Sequence, residues 1–203
     1  TDLKATVDGL SAEVKKDIKI TGGGNLILGS ESFKNAELKG NTGDGSSITY
    51  ELTGGATMAN TNSNRYFRWT TVGAYVAKGV TLCLSVMYKP VSGADEFCME
   101  IAYTAGYSTS QSWATIKPTD QLEIEQTDGW VLRYGLWTPP DNATLKLVDM
   151  GSGTTHAGTG NYTNKFSLLH PMLQYGNAPT AWNASSGDYL TQESAKSLFS
   201  QTA

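Results

Sequence analysis

The stretch VTLCLSVMYKPVSGADEFCMEIAY, residues Val80–Tyr103, alternates two sets of side chains on either side of a turn-like centre. Side chains two residues apart share one face of a strand. The more apolar set on the two runs is Leu82, Leu84, Val86 and Tyr88, then Phe97, Met99, Ile101 and Tyr103. The pattern predicts two strands with one buried face each, which we interpret as the two arms of a hairpin.

Similar short runs recur along the chain, separated by Gly, Asn, Asp and Pro. There are eight of them: NLILGS, SSITYEL, RYFRWTTV, VTLCLSVMYK, DEFCMEIAY, GWVLRYGLW, ATLKLVDM and KFSLLHPMLQ. The 203 residues include 22 glycines and only 17% charged residues, which is typical of an all-β chain with many turns. The sequence therefore predicts one β-sandwich or jelly-roll domain over residues 23–187.

One of these runs, GWVLRYGLW, can also be assigned a buried face by alternation. We expect its larger apolar residues to point inward, and this set is Trp130, Leu132, Tyr134 and Leu136. This assignment leaves Arg133 and Trp137 on the opposite side of the strand.

The two cysteines, Cys83 and Cys98, lie on the two predicted arms of the hairpin. A cross-strand disulfide would form if the register brought them together. Two cysteines make no disulfide framework, so the sequence favours free buried thiols.

Both ends of the chain have helix-like composition. Residues 1–22 place Leu3, Val7, Leu10 and Val14 at coiled-coil spacing, which fits a coiled coil joining copies of the chain or a helix packed on its own domain. Residues 188–203 begin a second helical segment, with Thr191 as a candidate cap. This order predicts a β domain inserted in a fibrous or linear protein, rather than a free-standing enzyme.

Charge and hydropathy narrow the classes of partner. The net charge of −4 and a pI near 5.1 argue against nucleic acid, which needs clustered Lys and Arg. No apolar run approaches the roughly 20 residues of a membrane-spanning helix, and the N-terminus lacks the basic region and apolar stretch that are typical of a signal peptide, which says little about the parent protein. Because the chain starts at Thr1, we expect it to be a fragment or a processed product.

The residues of common catalytic sites are sparse. The two histidines, His156 and His170, lie in different segments, and the sequence has neither a Gly-x-Ser-x-Gly motif nor a His/Cys pair with zinc spacing. Glu123, Glu125 and Asp149 read as solvated carboxylates. We predict no enzyme activity, no cofactor and no metal ligands, although calcium bound by backbone oxygens would leave no sequence pattern.

Aromatic residues among amides and hydroxyls are the remaining candidates for a binding site. Aromatic faces stack on the C–H faces of sugars, and amides and hydroxyls bind sugar hydroxyl groups. The candidates are Tyr107, Gln111 and Trp113 in TAGYSTSQSWATIK, Asn62, Arg65 and Trp69 in ANTNSNRYFRW, and Trp137. For each aromatic residue, ordinary core packing is the competing interpretation.

The closing stretch LLHPMLQYGNAPTAWN, residues Leu168–Asn183, suggests a family. Together with NLILGSESF, LCLSVMYK and GWVLRYGLWTPP, it resembles the carbohydrate-binding-module-like jelly rolls of phage and prophage tail fibre and baseplate proteins. The matching positions are Pro171, Leu173, Gln174, Gly176, Asn177, Thr180 and Trp182. Gln174 stands where an acid is usual and Ala181 where Asp is common, so the resemblance does not carry over a calcium or salt-bridge role for those acids.

The resemblance covers roughly residues 25–188 and implies a context. Such domains are typically trimeric tail components that adhere to host surface polysaccharide, located in the virion tail after synthesis in the bacterial cytoplasm. It therefore implies three partners: a host polysaccharide, two further copies of the chain, and other tail proteins. Two alternatives stay open, a spacer that stiffens the fibre without a ligand and an accessory module of a secreted glycoside hydrolase.

Within the closing stretch, Pro171 suits an edge or a bulge better than a central position in a strand ladder. Gly176 and Asn177 can turn the chain, and Pro179 restricts the backbone beside it. We therefore expect Trp182 to fold back on the domain as a structural clasp that fixes where the next segment leaves.

Overall fold

A computed structural model describes residues 24–40, 45–153 and 162–185, which form a two-sheet antiparallel β-sandwich consistent with a jelly roll. The strands are β1 Glu37–Gly40, β2 Ser47–Tyr50, β3 Ala56–Ser63, β4 Arg65–Thr70, β5 Tyr75–Val76, β6 Leu82–Gly93, β7 Phe97–Ala105, β8 Gln111–Ile116, β9 Leu122–Glu125, β10 Val131–Trp137, β11 Ala143–Ser152 and β12 Tyr162–Tyr175. Short 3₁₀ turns lie at Phe33–Asn35, Pro118–Asp120 and Thr127–Gly129. The predicted β-sandwich class is confirmed.

The strand order defines two sheets. The first sheet runs β1-β4-β11-β7-β8, with β5 also pairing with β11, and the second runs β2-β3-β12-β6-β10-β9. The predicted helices at residues 1–22 and 188–203 lie outside the described residues and stay predictions. No helix in the described part of the chain is long and apolar enough to span a membrane.

The alternation in β6 and β7 correctly predicts which side chains face the core, but the expectation of only one buried face is wrong, because the opposite side is buried too, at Cys83, Ser85, Cys98, Glu100 and Ala102. Leu82, Leu84 and Val86 of β6 face Phe97 and neighbouring residues of β7 across the sandwich, and these side chains are fully buried. The interpretation as one hairpin is wrong, because β6 pairs with β12 and β10 whereas β7 pairs with β11 and β8. Residues 94–96 carry the chain from one sheet to the other.

This crossing separates the two cysteines. Cys83 lies in the second sheet and Cys98 in the first, and both are free and buried. Burial raises the pKa of each thiol to about 12. The expected free thiols are confirmed, and both groups are protonated and poorly nucleophilic at neutral pH.

The inward face of β10 is the opposite of the one predicted. Val131 and Trp137 pack against the core, whereas Leu136 is 42% exposed. Arg133 also points inward, with its guanidinium 3.9 Å from the Tyr88 ring centroid and ion pairs to Asp95 and Glu123. Burial opposes the charge of Arg133, but the hydrogen bonds that it donates to Asp95 and Glu123 outweigh this effect and raise its pKa.

These contacts explain the error. Hydrophobicity alone places the larger apolar residues inward, but a charged residue is tolerated inside when its partners come with it. Asp95 and Glu123 belong to other segments of the chain, so alternation within β10 could not reveal them.

Several strands include residues that lie outside the eight strand-like runs of the sequence analysis. The segment ANTNS belongs to β3, and Gln111–Ile116 forms β8, although neither is among these eight predicted runs. Asn60 donates to Asn164 Oδ1 at 3.0 Å in the interior, and this bond satisfies a polar side chain in the middle of a strand. Conversely, the predicted run NLILGS is not one of the strands. It makes two isolated β-bridges, from Asn25 to Ser185 and from Ile27 to Thr71.

A bulge interrupts β12 at Pro171, which is one of the two settings, an edge or a bulge, that the sequence predicts for this proline. The register with β6 shifts between Leu169 and Met172, and His170 has a φ of 58°, in the left-handed region. The carbonyl of Pro171 accepts hydrogen bonds from Asn25 Nδ2 at 2.9 Å and from Trp182 Nε1 at 3.2 Å. The bulge thus supplies a backbone acceptor to both ends of the domain.

Asn25 is the residue that joins these ends. Its Nδ2 also donates to Ser30 Oγ and to the Asn183 carbonyl, and its Oδ1 accepts from the backbone amides of Ile27 and Leu173. Its own backbone amide donates to Asn183 Oδ1. The side chain is 1% exposed, so each of these bonds replaces one that water would otherwise make.

The bridge between Asn25 and Ser185 is parallel. The chain therefore enters and leaves the domain side by side and in the same direction. This geometry suits a module that is set into a chain running past it.

We expect Asn25→Ala to lower the free energy of unfolding by about 2–4 kcal/mol, because buried donors and acceptors lose their partner. Urea unfolding would measure the loss. Asn35→Ala is the matched control: Asn35 Nδ2 donates to the Gly29 carbonyl and Glu31 Oε1 at the surface, and its loss should cost below about 1 kcal/mol. Equal effects for the two variants would contradict the central role of Asn25.

Candidate functional site

The seven predicted binding residues fall in three places. Tyr107 lies fully exposed in the turn after β7, and Gln111 and Trp113 lie on β8, at the edge of the first sheet. Trp113 is half-buried and Gln111 is exposed. These three residues therefore share one hairpin, β7-β8.

Asn62 and Arg65 lie away from this hairpin: Asn62 is on β3 of the second sheet, and Arg65 is on β4 at the other end of the first sheet. Arg65 pairs with Ser152, whereas Thr104, the partner of Gln111, pairs with Thr144 eight residues earlier on β11. At about 3.3 Å per residue, this is a separation of roughly 25 Å. Asn62 is exposed, Arg65 is buried with a pKa lowered by that burial, and neither belongs with Trp113.

The remaining two of the seven predicted residues are tryptophans that pack in the core or against it. Trp69 is 1% exposed and packs edge-on against Phe33, with ring centroids 4.9 Å apart. Trp137 packs against Tyr103 between the sheets, at 4.7 Å. Core packing therefore accounts for both, and the expectation that Trp69 contacts a ligand is corrected.

The structure instead gathers a set of polar and aromatic side chains around Trp113 on the outer surface of the first sheet. We call this surface the Arg68 face, and it comprises Tyr66, Arg68, Glu100, Gln111, Trp113, Thr115 and Asp149. The cross-strand register aligns Arg68, Asp149, Glu100 and Thr115 in one row over four neighbouring strands. The site is thus built on strands rather than on loops.

Arg68 and Asp149 form the centre of the row. Arg68 Nε donates to Asp149 Oδ1 at 2.8 Å, and a terminal nitrogen donates to Oδ2 at 2.7 Å. This bidentate pair raises the pKa of Arg68, chiefly through the hydrogen bond to Asp149. Asp149 is completely buried, so the prediction of a solvated carboxylate is wrong at this position, and the pair is fixed in place.

Aromatic rings flank the guanidinium. Its central carbon lies 5.2 Å from the Trp113 ring centroid and 5.5 Å from that of Tyr66, which are cation–π distances. Ala102 pairs with Trp113, and Gly151 adjoins Tyr66 so closely that a Cβ there would lie 2.6 Å from Tyr66 Cβ. These small residues leave room for the two rings.

The second carboxylate of the row, Glu100, is held in the same way. Thr115 Oγ1 donates to Glu100 Oε1 at 2.9 Å, and Glu100 is completely buried. The face therefore presents the partly exposed Trp113 ring, a fixed guanidinium and an exposed carboxamide, beside a buried Tyr66 and over two carboxylates that solvent does not reach.

The Arg68 face contains Trp113 and Gln111, which the sequence analysis names as candidates, and Arg68, Tyr66 and Glu100, which it does not name. Alternation in RYFRWT does place Tyr66 and Arg68 opposite the core residues Phe67 and Trp69, so part of the signal was present. The pairing of β4 with β11 joins segments nearly 80 residues apart, and no local pattern encodes it.

The described residues contain no cluster of the side chains that usually bind a metal ion. No group of three or more His, Cys, Asp or Glu side chains within residues 24–40, 45–153 and 162–185 could hold a metal ion. His156 lies outside those residues. His170 stacks on Trp182.

Trp182 lies against the bulge of β12. Its ring stacks on His170 with centroids 4.5 Å apart and planes 17° apart, and its Nε1 donates to the Pro171 carbonyl. Gln174, buried beneath the same segment, donates to the Ala178 carbonyl at 2.8 Å and accepts from Thr180 Oγ1 at 2.7 Å. These contacts are those expected of a clasp, and the clasp role itself stays a prediction.

No protein family model matches this chain, and no curated protein matches it. Solved structures with a similar backbone include the enzymatically active domain of tailspike protein 4 of bacteriophage CBA120, at 12% identity and a TM-score of 0.45. The CBM22-1-GH10 modules of xylanase 10B of Clostridium thermocellum match at 15% identity and a TM-score of 0.46. A family 16 carbohydrate-binding module matches at 15% identity and a TM-score of 0.43.

These matches differ in how much of each chain they include. They cover 77%, 75% and 74% of this chain, in the same order. This chain spans only 21% of the tailspike chain and 28% of the xylanase chain, but 99% of the carbohydrate-binding module.

We expect Trp182→Ala to speed hydrogen exchange of the backbone amides in residues 178–185 by at least about tenfold, because both the stack and the hydrogen bond are lost. Trp182→Phe keeps an aromatic ring but removes the donor, and should have an intermediate effect. Unchanged protection in Trp182→Ala would refute the clasp.

We expect Arg68→Met to lower the free energy of unfolding by about 3 kcal/mol, because it leaves Asp149 buried without the guanidinium. Combining it with Asp149→Leu should recover more than half of this loss, as measured by a double-mutant cycle in urea. The exposed pair Lys39–Glu37 on the same sheet is the control, with an expected coupling below about 1 kcal/mol. Additive effects at Arg68 and Asp149 would show that the pair is not coupled.

Proposed function

We propose that this domain binds saccharide, without catalysis, through the Arg68 face. The observation that carries the proposal is the partly exposed Trp113 ring, 5.2 Å from an Arg68 guanidinium that also lies 5.5 Å from the Tyr66 ring, on the outer surface of the first sheet. Trp113 is partly accessible, and Gln111 extends the same face toward the turn that holds the exposed Tyr107.

Each component of the face suits a sugar. An indole ring offers an apolar surface to the C–H face of a pyranose, while carboxamide and guanidinium groups hydrogen-bond its hydroxyls. The ion pair with Asp149 fixes the guanidinium before any ligand arrives, which lowers the entropy lost on binding. A face on strands also accommodates an extended chain of sugar units.

The burial of the two carboxylates argues against a hydrolase on this face. Glycosidases use two carboxyl groups that reach the scissile bond. Asp149 and Glu100 are register partners on adjacent strands, but both are completely buried. They cannot contact a substrate lying on the surface, so their role is to hold Arg68 and Thr115.

We extend the proposal to the setting of the domain. We infer a tail fibre or baseplate protein of a phage or prophage, with host surface polysaccharide as the ligand, location in the virion tail, and trimer formation through residues 1–22. The parallel entry and exit at Asn25 and Ser185 support a module set into a longer chain. An accessory module of a secreted glycoside hydrolase fits the same face, and a ligand-free spacer is the alternative in which Trp113 only packs on its neighbours.

We expect Trp113→Ala to weaken polysaccharide binding by at least about tenfold, and Tyr107→Ala by less, since Tyr107 lies beyond the face. Calorimetric titration would use bacterial surface polysaccharides, xylan and mixed-linkage β-glucan. Trp130→Ala is the matched control, because Trp130 is half-buried beside Lys89, a residue of the second sheet.

The pattern of binding separates the alternatives. Preference for bacterial surface polysaccharide favours the tail protein, and preference for xylan or β-glucan favours the hydrolase module. Binding that survives Trp113→Ala would refute the Arg68 face, and binding to none of the polysaccharides would favour the spacer.

A further inference from the structure

A cavity of about 180 Å³ lies on the outer surface of the second sheet, beneath the segment that follows β12. Its lining residues are Ser85, Met87, Gln126, Leu132, His170, Met172, Thr180, Ala181 and Trp182. The Arg68 face belongs to the other sheet, so this cavity is a separate feature.

The walls of the cavity are held in place by several contacts. Trp182 is fixed by its stack on His170 and its bond to the Pro171 carbonyl. Gln174 binds Ala178 and Thr180, and so anchors the segment that forms the roof. The cavity is therefore part of the folded structure rather than a gap beneath a loose tail.

The size of the cavity limits its ligand. Because a water molecule occupies about 30 Å³ in the liquid, the volume corresponds to about six waters. One sugar ring or a substituent of one matches this volume, whereas a chain of sugars does not.

The chemistry of the lining limits the ligand further. Met87, Leu132 and Met172 supply an apolar floor, and no Asp, Glu, Lys or Arg lines the cavity. His170 adds no charge at neutral pH, because burial lowers its pKa below the ordinary value. The ligand must therefore be neutral and must present apolar surface to the floor.

Ser85 supplies the polar contact. Ser85 is only 2% exposed as a residue and lines the cavity. Its hydroxyl can both donate a hydrogen bond to a ligand in the cavity and accept one from it. Gln126 and Thr180 add a carboxamide and a second hydroxyl at the rim.

We propose that this cavity is a second binding site, which takes the acetamido group of a neutral N-acetylated amino sugar. An acetamido group places a methyl next to a carbonyl and an N–H, and so matches the floor of Met87, Leu132 and Met172 beside the Ser85 hydroxyl. The site does not depend on the Arg68 face, which the proposed function assigns to the polysaccharide chain.

The test is a titration with N-acetylglucosamine, with glucose as the matched probe that lacks the acetamido group. Methyl resonances of ¹³C-labelled methionine report the site directly, since Met87 and Met172 line it whereas Met99 lies in the core. We expect saturable shifts of the Met87 and Met172 signals with N-acetylglucosamine and none with glucose.

Two variants locate the ligand. Ala181 is exposed on the roof, so Ala181→Phe should fill the cavity without disturbing the core and abolish the shifts. Ser85→Ala should weaken N-acetylglucosamine binding by about tenfold while the labelled protein stays folded. Trp113→Ala should leave these shifts unchanged, because it alters the other sheet.

The outcomes are distinct from those of the polysaccharide experiment. Equal shifts with glucose, no saturable shift with N-acetylglucosamine, or full binding by Ala181→Phe would each overturn this site. Loss of polysaccharide binding in Trp113→Ala would still support the Arg68 face, and unaltered N-acetylglucosamine binding in that variant would still support the cavity.

Discussion

The buried carboxamide of Asn25 holds together three parts of the chain that are distant in sequence. It bonds to the bulge of β12 at Pro171, to the backbone of Leu173 beyond that bulge, and to Asn183 in the exiting segment. Because the group is buried, all of these partners must be present together for its bonds to be satisfied. The bulge, the Trp182 segment and the roof of the cavity therefore form one cooperative unit.

The sandwich presents two surfaces of different character on its two sheets. The Arg68 face is flat, aromatic and anchored by a buried ion pair, which suits an extended ligand. The cavity under Trp182 is small, uncharged and largely apolar, which suits a single substituent. One domain can thus combine recognition of a chain with recognition of one chemical group, and binding at both would raise avidity through multivalency.

Sequence patterns identified the parts of this fold that are encoded locally. Alternation in β6 and β7 was enough to find their core-facing sides but not the burial of their opposite sides, and the missing N–H of proline narrowed Pro171 to an edge or a bulge. The errors arose where a distant segment decides the outcome: Arg133 is inward because of Asp95 and Glu123. Arg68 and Glu100 belong to the site only because β11 pairs with both β4 and β7, which no single stretch of sequence reveals.

The parallel bridge between Asn25 and Ser185 also bears on how the domain would respond to mechanical load. A pull on the chain before Asn25 and after Ser185 would act on the two segments in opposite directions. The hydrogen bonds joining Asn25 to Asn183 would then be loaded in shear, all at once, rather than peeled apart one by one. The rest of the sandwich would hang beside the line of force, so both binding surfaces would keep their shape under tension until this one junction failed.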